Sequence, residues 1–300
     1  MAKIAVELEQ ALARRQAFGT RGQTINRVLA NDDDWEVADV LCTCGPQDRP
    51  FEERHTRFAI AIVAAGSFQY KSGRGHELMT QGSLLLGTPR QSFECAHEHG
   101  TGDRCVSVKY APEFFARIAA DLKVPHGASG FRVMRVPPLR EMSSLVARAC
   151  SALEGSAQGS WEEFVLELAA KTLNITGNFA PAANQFPRST MARVSRSVRQ
   201  IEQRAEENLT LAMLAAEAGL SPYHFMRCFQ QLTGVTPHQY VLRTRLRRAA
   251  VRVANKATSS ILDIALDSGF GDISNFNRAF RLEYGVSPRR YRKALAGNAR

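Results

Sequence analysis

The stretch ILDIALDSGFGDISNFNRAFRLEYGVSPRRYR, Ile261 to Arg292, decides how this chain is read. A second version lies upstream, LAMLAAEAGLSPYHFMRCFQQLTGVTPHQY from Leu211 to Tyr240. Ala215 and Gly219 match Ala265 and Gly269 at an offset of 50 residues. Phe225, Arg227, Phe229, Gly234, Pro237 and Tyr240 match Phe276, Arg278, Phe280, Gly285, Pro288 and Tyr291 at an offset of 51. The one-residue slip falls in the turn after the first glycine. Two copies are too few for a solenoid, so they read as two small helical modules set side by side.

Within the first copy, Leu211, Leu214, Ala215 and Ala218 form one apolar helix face. Gly219 follows where the chain must leave the helix with a positive φ. Ser221 then caps a second helix, with Pro222 at its first position, where a missing N–H costs nothing. Phe225 and Phe229 lie four apart and point inward. The second copy repeats the plan with Ile264, Ala265, Gly269, the cap Asp272, and inward Phe276 and Phe280. Helix, glycine turn and capped helix is the helix-turn-helix pattern.

The outward faces carry Tyr223, Met226 and Arg227 in the first copy, and Ile273, Ser274, Asn275, Asn277 and Arg278 in the second. A short helix fits a B-DNA major groove, about 12 Å wide, where arginine reads guanine and asparagine reads adenine through paired hydrogen bonds. Tyr223, Met226 and Ile273 suit thymine methyls. These eight residues are the base-reading candidates. Ser221, Arg243, Arg247, Arg248, Arg289 and Arg290 are candidates for phosphate contacts, which set register without reading sequence. A helix from His238 to Ala254 spans roughly 25 Å at about 1.5 Å per residue. The modules then stand close to one turn of DNA apart, about 34 Å.

The charge distribution agrees. Of 39 basic and 29 acidic residues, 18 basic and 8 acidic lie from Ser189 onward, so the whole net charge of +10 belongs to the last third. A neutral region joined to a basic one reads as a sensor joined to a polyanion binder. A length of 300 residues suggests about two domains. No apolar run approaches the roughly 18 residues of a membrane helix. MAKIAVELEQALARRQ carries acids and lacks a long apolar core, so it reads as a short amphipathic helix rather than a signal peptide. A cytoplasmic location is expected, with the six cysteines reduced.

Residues 1–22 are read as a tail or helix. Residues 23–136 show short strands rich in β-branched and aromatic residues, separated by turn signals such as Gln81-Gly82. They predict an antiparallel barrel or sandwich, and a barrel closed on itself can hold one small ligand. Pro137-Pro138 opens a pair of helices over 137–180. Ala180 to Thr190 is small, polar and proline-containing, and its core, 181–190, reads as a linker before the basic domain at 191–296. The fold class is α+β: a β-barrel with a helical pair, then an all-α domain.

SPYHFMRCFQQLTGVTPHQYVLRTRLRRA (221–249) and the stretch 261–292 resemble the AraC/XylS family of bacterial transcription regulators. The resemblance covers about 100 residues, roughly Arg193 to Ala294. It implies seven helices with two helix-turn-helix units, binding of double-stranded promoter DNA, and contact with RNA polymerase in activation. HELMTQGSLLLGTPRQSFE (76–94) is similar to the cupin-like sensor barrel many members carry. The helices at 139–177 resemble the segment that mediates homodimerisation. A small effector in the barrel is therefore expected, of a kind the resemblance does not name.

FECAHEHGTGDRC (93–105) is the most unusual local feature. It brings Cys95, His97, His99 and Cys105 within eleven positions, and Cys42, Cys44 and His55 lie upstream. Strand alternation puts Cys95, His97 and His99 on one face. Thiolates with imidazoles favour zinc or another thiophilic ion. A thiol activated by Arg104 would instead sense oxidants, and core cysteines packing as small apolar residues is the third reading. No cofactor is required by the pattern. A metal-dependent cupin enzyme fused to a DNA binder is a remote alternative, since no nucleotide-binding glycine loop, GxSxG elbow or clear pair of catalytic carboxylates is present.

Overall fold

The computed structural model describes residues 3–50, 52–98, 100–124, 130–155, 160–177, 186–255 and 259–297. Helix α1 (Lys3–Phe18) leads into β1 (Thr24–Asn31), β2 (Trp35–Cys42), β3 (Glu52–Arg54), β4 (Phe58–Gly66), β5 (Phe68–Ser72), β6 (Gly75–Met79), β7 (Leu84–Gly87), β8 (Ser92–Ala96) and β9 (Asp103–Tyr110). Then come α2 (Pro112–Asp121), β10 (Arg135–Val136), α3 (Ser143–Leu153) and α4 (Trp161–Thr176). The strands form two antiparallel sheets, ordered β1-β2-β9-β4-β7-β10 and β3-β8-β5-β6.

The larger sheet is covered on both faces, which explains the unbroken apolar run of β4. Its Ile60, Ile62 and Ala64, with Val106 and Val108 of β9, pack against the helices. The alternate residues Ala61 and Val63, with Cys105, face Phe68, Tyr70 and Met79 of the smaller sheet. Side chains alternate along a strand, so a strand buried on both faces loses its polar alternation. The short strands read at 37–44, 58–63, 67–71, 78–80, 83–86, 93–95 and 106–110 are all present, with edges moved by a few residues. Strands β1, β3 and β10 and helix α2 were not foreseen. Strand β1 is largely exposed, because it is an edge paired only with β2, and its apolar residues Ile25, Val28, Leu29 and Ala30 do not alternate. Helix α2 interrupts the region read as all strand, and buries Phe115, Ile118 and Ala119 at helical spacing.

The basic region folds as seven helices: α5 (Arg188–Arg204), α6 (Leu211–Glu217), α7 (Pro222–Thr233), α8 (Pro237–Asn255), α9 (Ile261–Asp267), α10 (Ile273–Tyr284) and α11 (Pro288–Gly297). Helix α5 starts inside the segment read as linker. Phe225, Phe229 and Tyr240 form one core with Val194, Val198 and Ile201 of α5. Phe276, Phe280 and Tyr284 form the other with Leu246, Ala249 and Val253 of α8. Gly269, at φ +85°, makes the turn between α9 and α10, and a Cβ there would sit 2.7 Å from the Glu206 backbone.

The helical domain is docked on the barrel. Leu78 of β6 joins the first module's core, and α3 contacts both α8 and strands β4 and β9. Arg135 donates to the Thr233 carbonyl (3.0 Å), and Arg243 donates to the Pro138 carbonyl (2.7 Å). Among the described residues no helix is long and apolar enough to cross a membrane.

Candidate DNA interface and barrel cavity

Helices α7 and α10 both begin on the caps that the sequence implied. Ser221 Oγ accepts the His224 amide (3.4 Å), and Asp272 Oδ1 accepts the Asn275 amide (2.7 Å). Each ends on a glycine with positive φ, Gly234 at +81° and Gly285 at +75°. With the phenylalanines fully buried, helical geometry turns the intervening positions outward. Tyr223, Arg227, Ser274, Asn275, Asn277 and Arg278 are exposed, while Met226 and Ile273 are half-buried. In α10 the polar groups are ordered before any ligand arrives. Arg278 donates to Asn275 Oδ1 (2.6 Å), and Asn275 Nδ2 donates to Asp272 Oδ2 (2.8 Å).

The phosphate candidates divide. Arg289 and Arg290 are exposed in the first turn of α11, and Ser221 is exposed at the start of α7. The α8 arginines are held by protein. Arg243 lies between the Pro138 carbonyl and Glu283 (3.4 Å). Arg247 is buried beneath Gly82, whose missing Cβ leaves room for the guanidinium. Arg248 pairs with Glu206 (2.7 Å) and donates to the Glu202 carbonyl. The sequence marked these as basic but could not show that barrel and helix ends had already engaged them. In this arrangement they meet a phosphate only by leaving those partners.

A cavity of about 190 Å³ opens between the two sheets. Cys42, Cys44, Cys95, Cys105, Asp103 and His55 are among its lining residues. The β2–β9 register sets Cys42 opposite Asp103, and Val40 opposite Cys105. Paired residues share a face, as do residues two apart, so Cys42, Asp103 and Cys105 all face inward. His97 reaches them from beyond β8, its Nε2 2.7 Å from Asp103 Oδ1. One donor atom each from Cys42, His97 and Asp103 falls within 4.8 Å of the others. Cys105 Sγ donates to Asp103 Oδ2 at 3.3 Å.

Electrostatics sort these groups. Burial alone would push the His97 imidazolium down, but Asp103 and the Cys42 sulfur overcome it and lift it to about 10. Burial raises the thiols of Cys42, Cys44, Cys95 and Cys105. His97 pulls the Cys42 thiol down, but burial outweighs it, and Arg104, the cation expected to activate a thiol, is instead bound by Asp39 (2.9 Å) and Glu7. His55 stands apart. It is stacked on Phe93 at 4.1 Å and hydrogen-bonded to the Tyr70 hydroxyl (2.8 Å), and burial, with Lys109, lowers it to about 4.

Of the cluster expected from the sequence, Cys95 and Cys105 line the cavity and His97 lies beside it. His99 lies outside the described residues. Strand β8 stops at Ala96, so Cys95 lies on the strand and His97 just past its end. The sequence reading missed Asp103 and gave Cys42 only as an upstream neighbour. The CxC pair was visible, but not its cross-strand partner.

Comparison with known proteins supports both halves. Residues 214–294 match the family described as "Helix-turn-helix domain", and residues 40–173 match "AraC-like ligand binding domain". The probable transcriptional regulator LumQ of Photobacterium leiognathi is 40% identical over 91 residues, covering 30% of this chain and 36% of that protein. The transposon Tn10 TetD protein of Escherichia coli is 36% identical over 93 residues, covering 31% of this chain and 67% of TetD. The match spans about a third of the length of the first curated relatives, 36% and 33%. The crystal structure of ToxT from Vibrio cholerae O395 aligns over 92% of this chain and 98% of its own, at 13% identity and a TM-score of 0.34. The chain belongs to the AraC family, with an AraC-like ligand binding domain ahead of its helix-turn-helix domain.

Proposed function

We propose that this protein is a sequence-specific, DNA-binding transcription regulator, controlled by a small effector held between the two sheets of its sensor domain. The carrying observation is the pair of capped helices, α7 and α10, whose inward aromatics are buried and whose outward residues are exposed. Helix α8, of 19 residues, separates them by roughly 28 Å at about 1.5 Å per residue, close to one DNA turn of about 34 Å. Tyr223, Met226, Arg227, Ile273, Ser274, Asn275, Asn277 and Arg278 read bases. Arg289, Arg290 and Ser221 hold the backbone; Arg243 and Arg247 join them only if the sensor domain lets go, and Arg248 only by leaving Glu206 and the Glu202 carbonyl within its own domain. The protein works in the cytoplasm as an activator that contacts RNA polymerase, and as a homodimer through α4, which leaves Leu166 exposed. Its role is regulatory rather than catalytic. Selection of a binding site from a random duplex pool, then a salt titration on that site, tests this. A single recovered motif and an affinity that falls steeply with salt are expected. Recovery of no motif refutes the reading.

A second reading has its own support. The effector is a thiophilic metal ion such as zinc rather than an organic molecule. The buried grouping of Cys42, His97 and Asp103 favours it.

A further inference from the structure

We propose that the inner wall of the sensor domain binds one divalent thiophilic ion of the zinc class, ligated by Cys42, His97, Asp103 and Cys105. This deepens the second reading above, on which it rests for any role as a trigger. The ion site itself stands on its own geometry.

Four observations carry it. The donors come from three separate parts of the chain, the end of β2, the segment after β8, and β9, and the β2–β9 register brings two of those parts face to face. All four residues are buried, at 5 to 7% exposure. The donor atoms of Cys42, His97 and Asp103 lie within 4.8 Å of one another, and the Cys105 sulfur is 3.3 Å from the carboxylate. A tetrahedral ion with bonds of about 2.0–2.3 Å holds its donors roughly 3.3–3.8 Å apart, a spacing near that of the Cys42, His97 and Asp103 donors; Cys105 stands outside that group of three and joins as fourth ligand by turning its side chain from Asp103. Finally, His97 Nδ1 has no hydrogen-bond partner among the described residues, although its side chain is only 1% exposed. Buried polar atoms are normally paired.

The chemistry narrows the ion. Two sulfurs, an imidazole and one carboxylate are borderline-soft donors that suit zinc or cadmium, whereas magnesium and calcium prefer all-oxygen shells. Cys95 and Cys44 face the same cavity and reinforce the soft character.

The position also suggests how an ion would be felt elsewhere. His97 and Asp103 bracket a short loop. Within it, a Cβ on Gly100 would lie 3.1 Å from Arg199 Nη1 of α5. A Cβ on Gly102 would lie 2.8 Å from the Cys42 carbonyl and 3.0 Å from Leu8 of α1. His97 Nε2 and Asp103 Oδ1, now 2.7 Å apart, must separate to admit an ion, and Gly100, between them in the chain, lies against Arg199 of the first helix of the DNA-binding domain.

The test uses the full chain, stripped with a chelator under reducing conditions. Zinc is titrated against a chromophoric competitor, and cadmium is followed by its sulfur-to-metal charge-transfer absorbance. One ion per chain is expected, with a thiolate band. Cys42→Ser and Cys105→Ser should each reduce that band and weaken binding by about 100-fold, at or above the 10–100-fold cost of losing a supporting partner. Cys150→Ser, in a buried cysteine outside this cavity, should change neither. Equal thermal unfolding of the ion-free variants shows that they fold. Binding without a thiolate band, or binding unaffected by Cys42→Ser and Cys105→Ser, overturns the site. DNA affinity is measured separately with and without zinc. A bound ion that leaves DNA affinity unchanged keeps the site and refutes the ion as trigger.

Discussion

Glu202 on α5 offers a prediction whose size follows from its surroundings. Its carboxylate accepts the Tyr240 hydroxyl at 2.6 Å and lies near the Gln81 backbone, Arg247 and Arg248, where the barrel meets the helical domain. Burial dominates, and despite these partners it raises the carboxyl from 4.5 to about 7. The unfolded chain then releases this proton near pH 4.5, while the folded chain keeps it to about 7. The stabilisation from the protonated form is complete below pH 4.5, is lost as pH rises through 7, and is flat above. At 1.36 kcal/mol per unit the loss is bounded at about 3.4 kcal/mol, and since Glu202 is half-buried by surface exposure about 2–3 kcal/mol is expected. Other groups also titrate. His55 is lowered to about 4, so its stabilising contribution is lost as pH falls below 6.5, in the opposite sense. The difference between Glu202→Gln and the parent therefore isolates the effect. In urea unfolding at intervals from pH 4.5 to 8.5, the variant's relative stability should rise by about 2–3 kcal/mol and level off above pH 7.5. A difference that does not change with pH, or that falls, refutes the assignment of a buried, proton-holding Glu202.

Three further outcomes are expected. Arg278→Ala removes a side chain already oriented by Asn275, and should cost about 1–3 kcal/mol on the selected site while nearly sparing random DNA; anisotropy titrations showing equal losses on both would exclude base reading. Gly269→Ala forces an L side chain to φ +85° against the Glu206 backbone, and the conformational penalty alone, about 1–2 kcal/mol, should appear as a lowered Tm. Phe276→Ala empties a fully buried position in contact with Phe270 and Phe280, and should destabilise the chain by about 3–5 kcal/mol in urea; a cost below about 1 kcal/mol would mean that the second module's core is not as described.

Legibility tracked the range of the interactions involved. Caps, glycine turns and the four-residue spacing of Phe225–Phe229 and Phe276–Phe280 are written within a dozen residues, and all appear where expected. Strand β1 escaped because an exposed edge has no apolar alternation to reveal it. Helix α2 had a readable signal, Phe115, Ile118 and Ala119 after Pro112, which the surrounding strands obscured. The Cys–His cluster was half visible. Cys95, His97 and Cys105 lie near one another in the chain, whereas Cys42 becomes their neighbour only through pairing with β9.

The amino-acid order alone settled the paired modules, their inward and outward faces, and the basic character of the last third, because helix periodicity and capping are local properties of the backbone. Tertiary structure decided the rest. Strand register placed Cys42 across from Asp103, and domain docking put Arg243 and Arg247 against the barrel. Both are contacts between segments far apart in the chain. Such a contact depends on which surfaces bury each other, and no local stretch of residues encodes that choice.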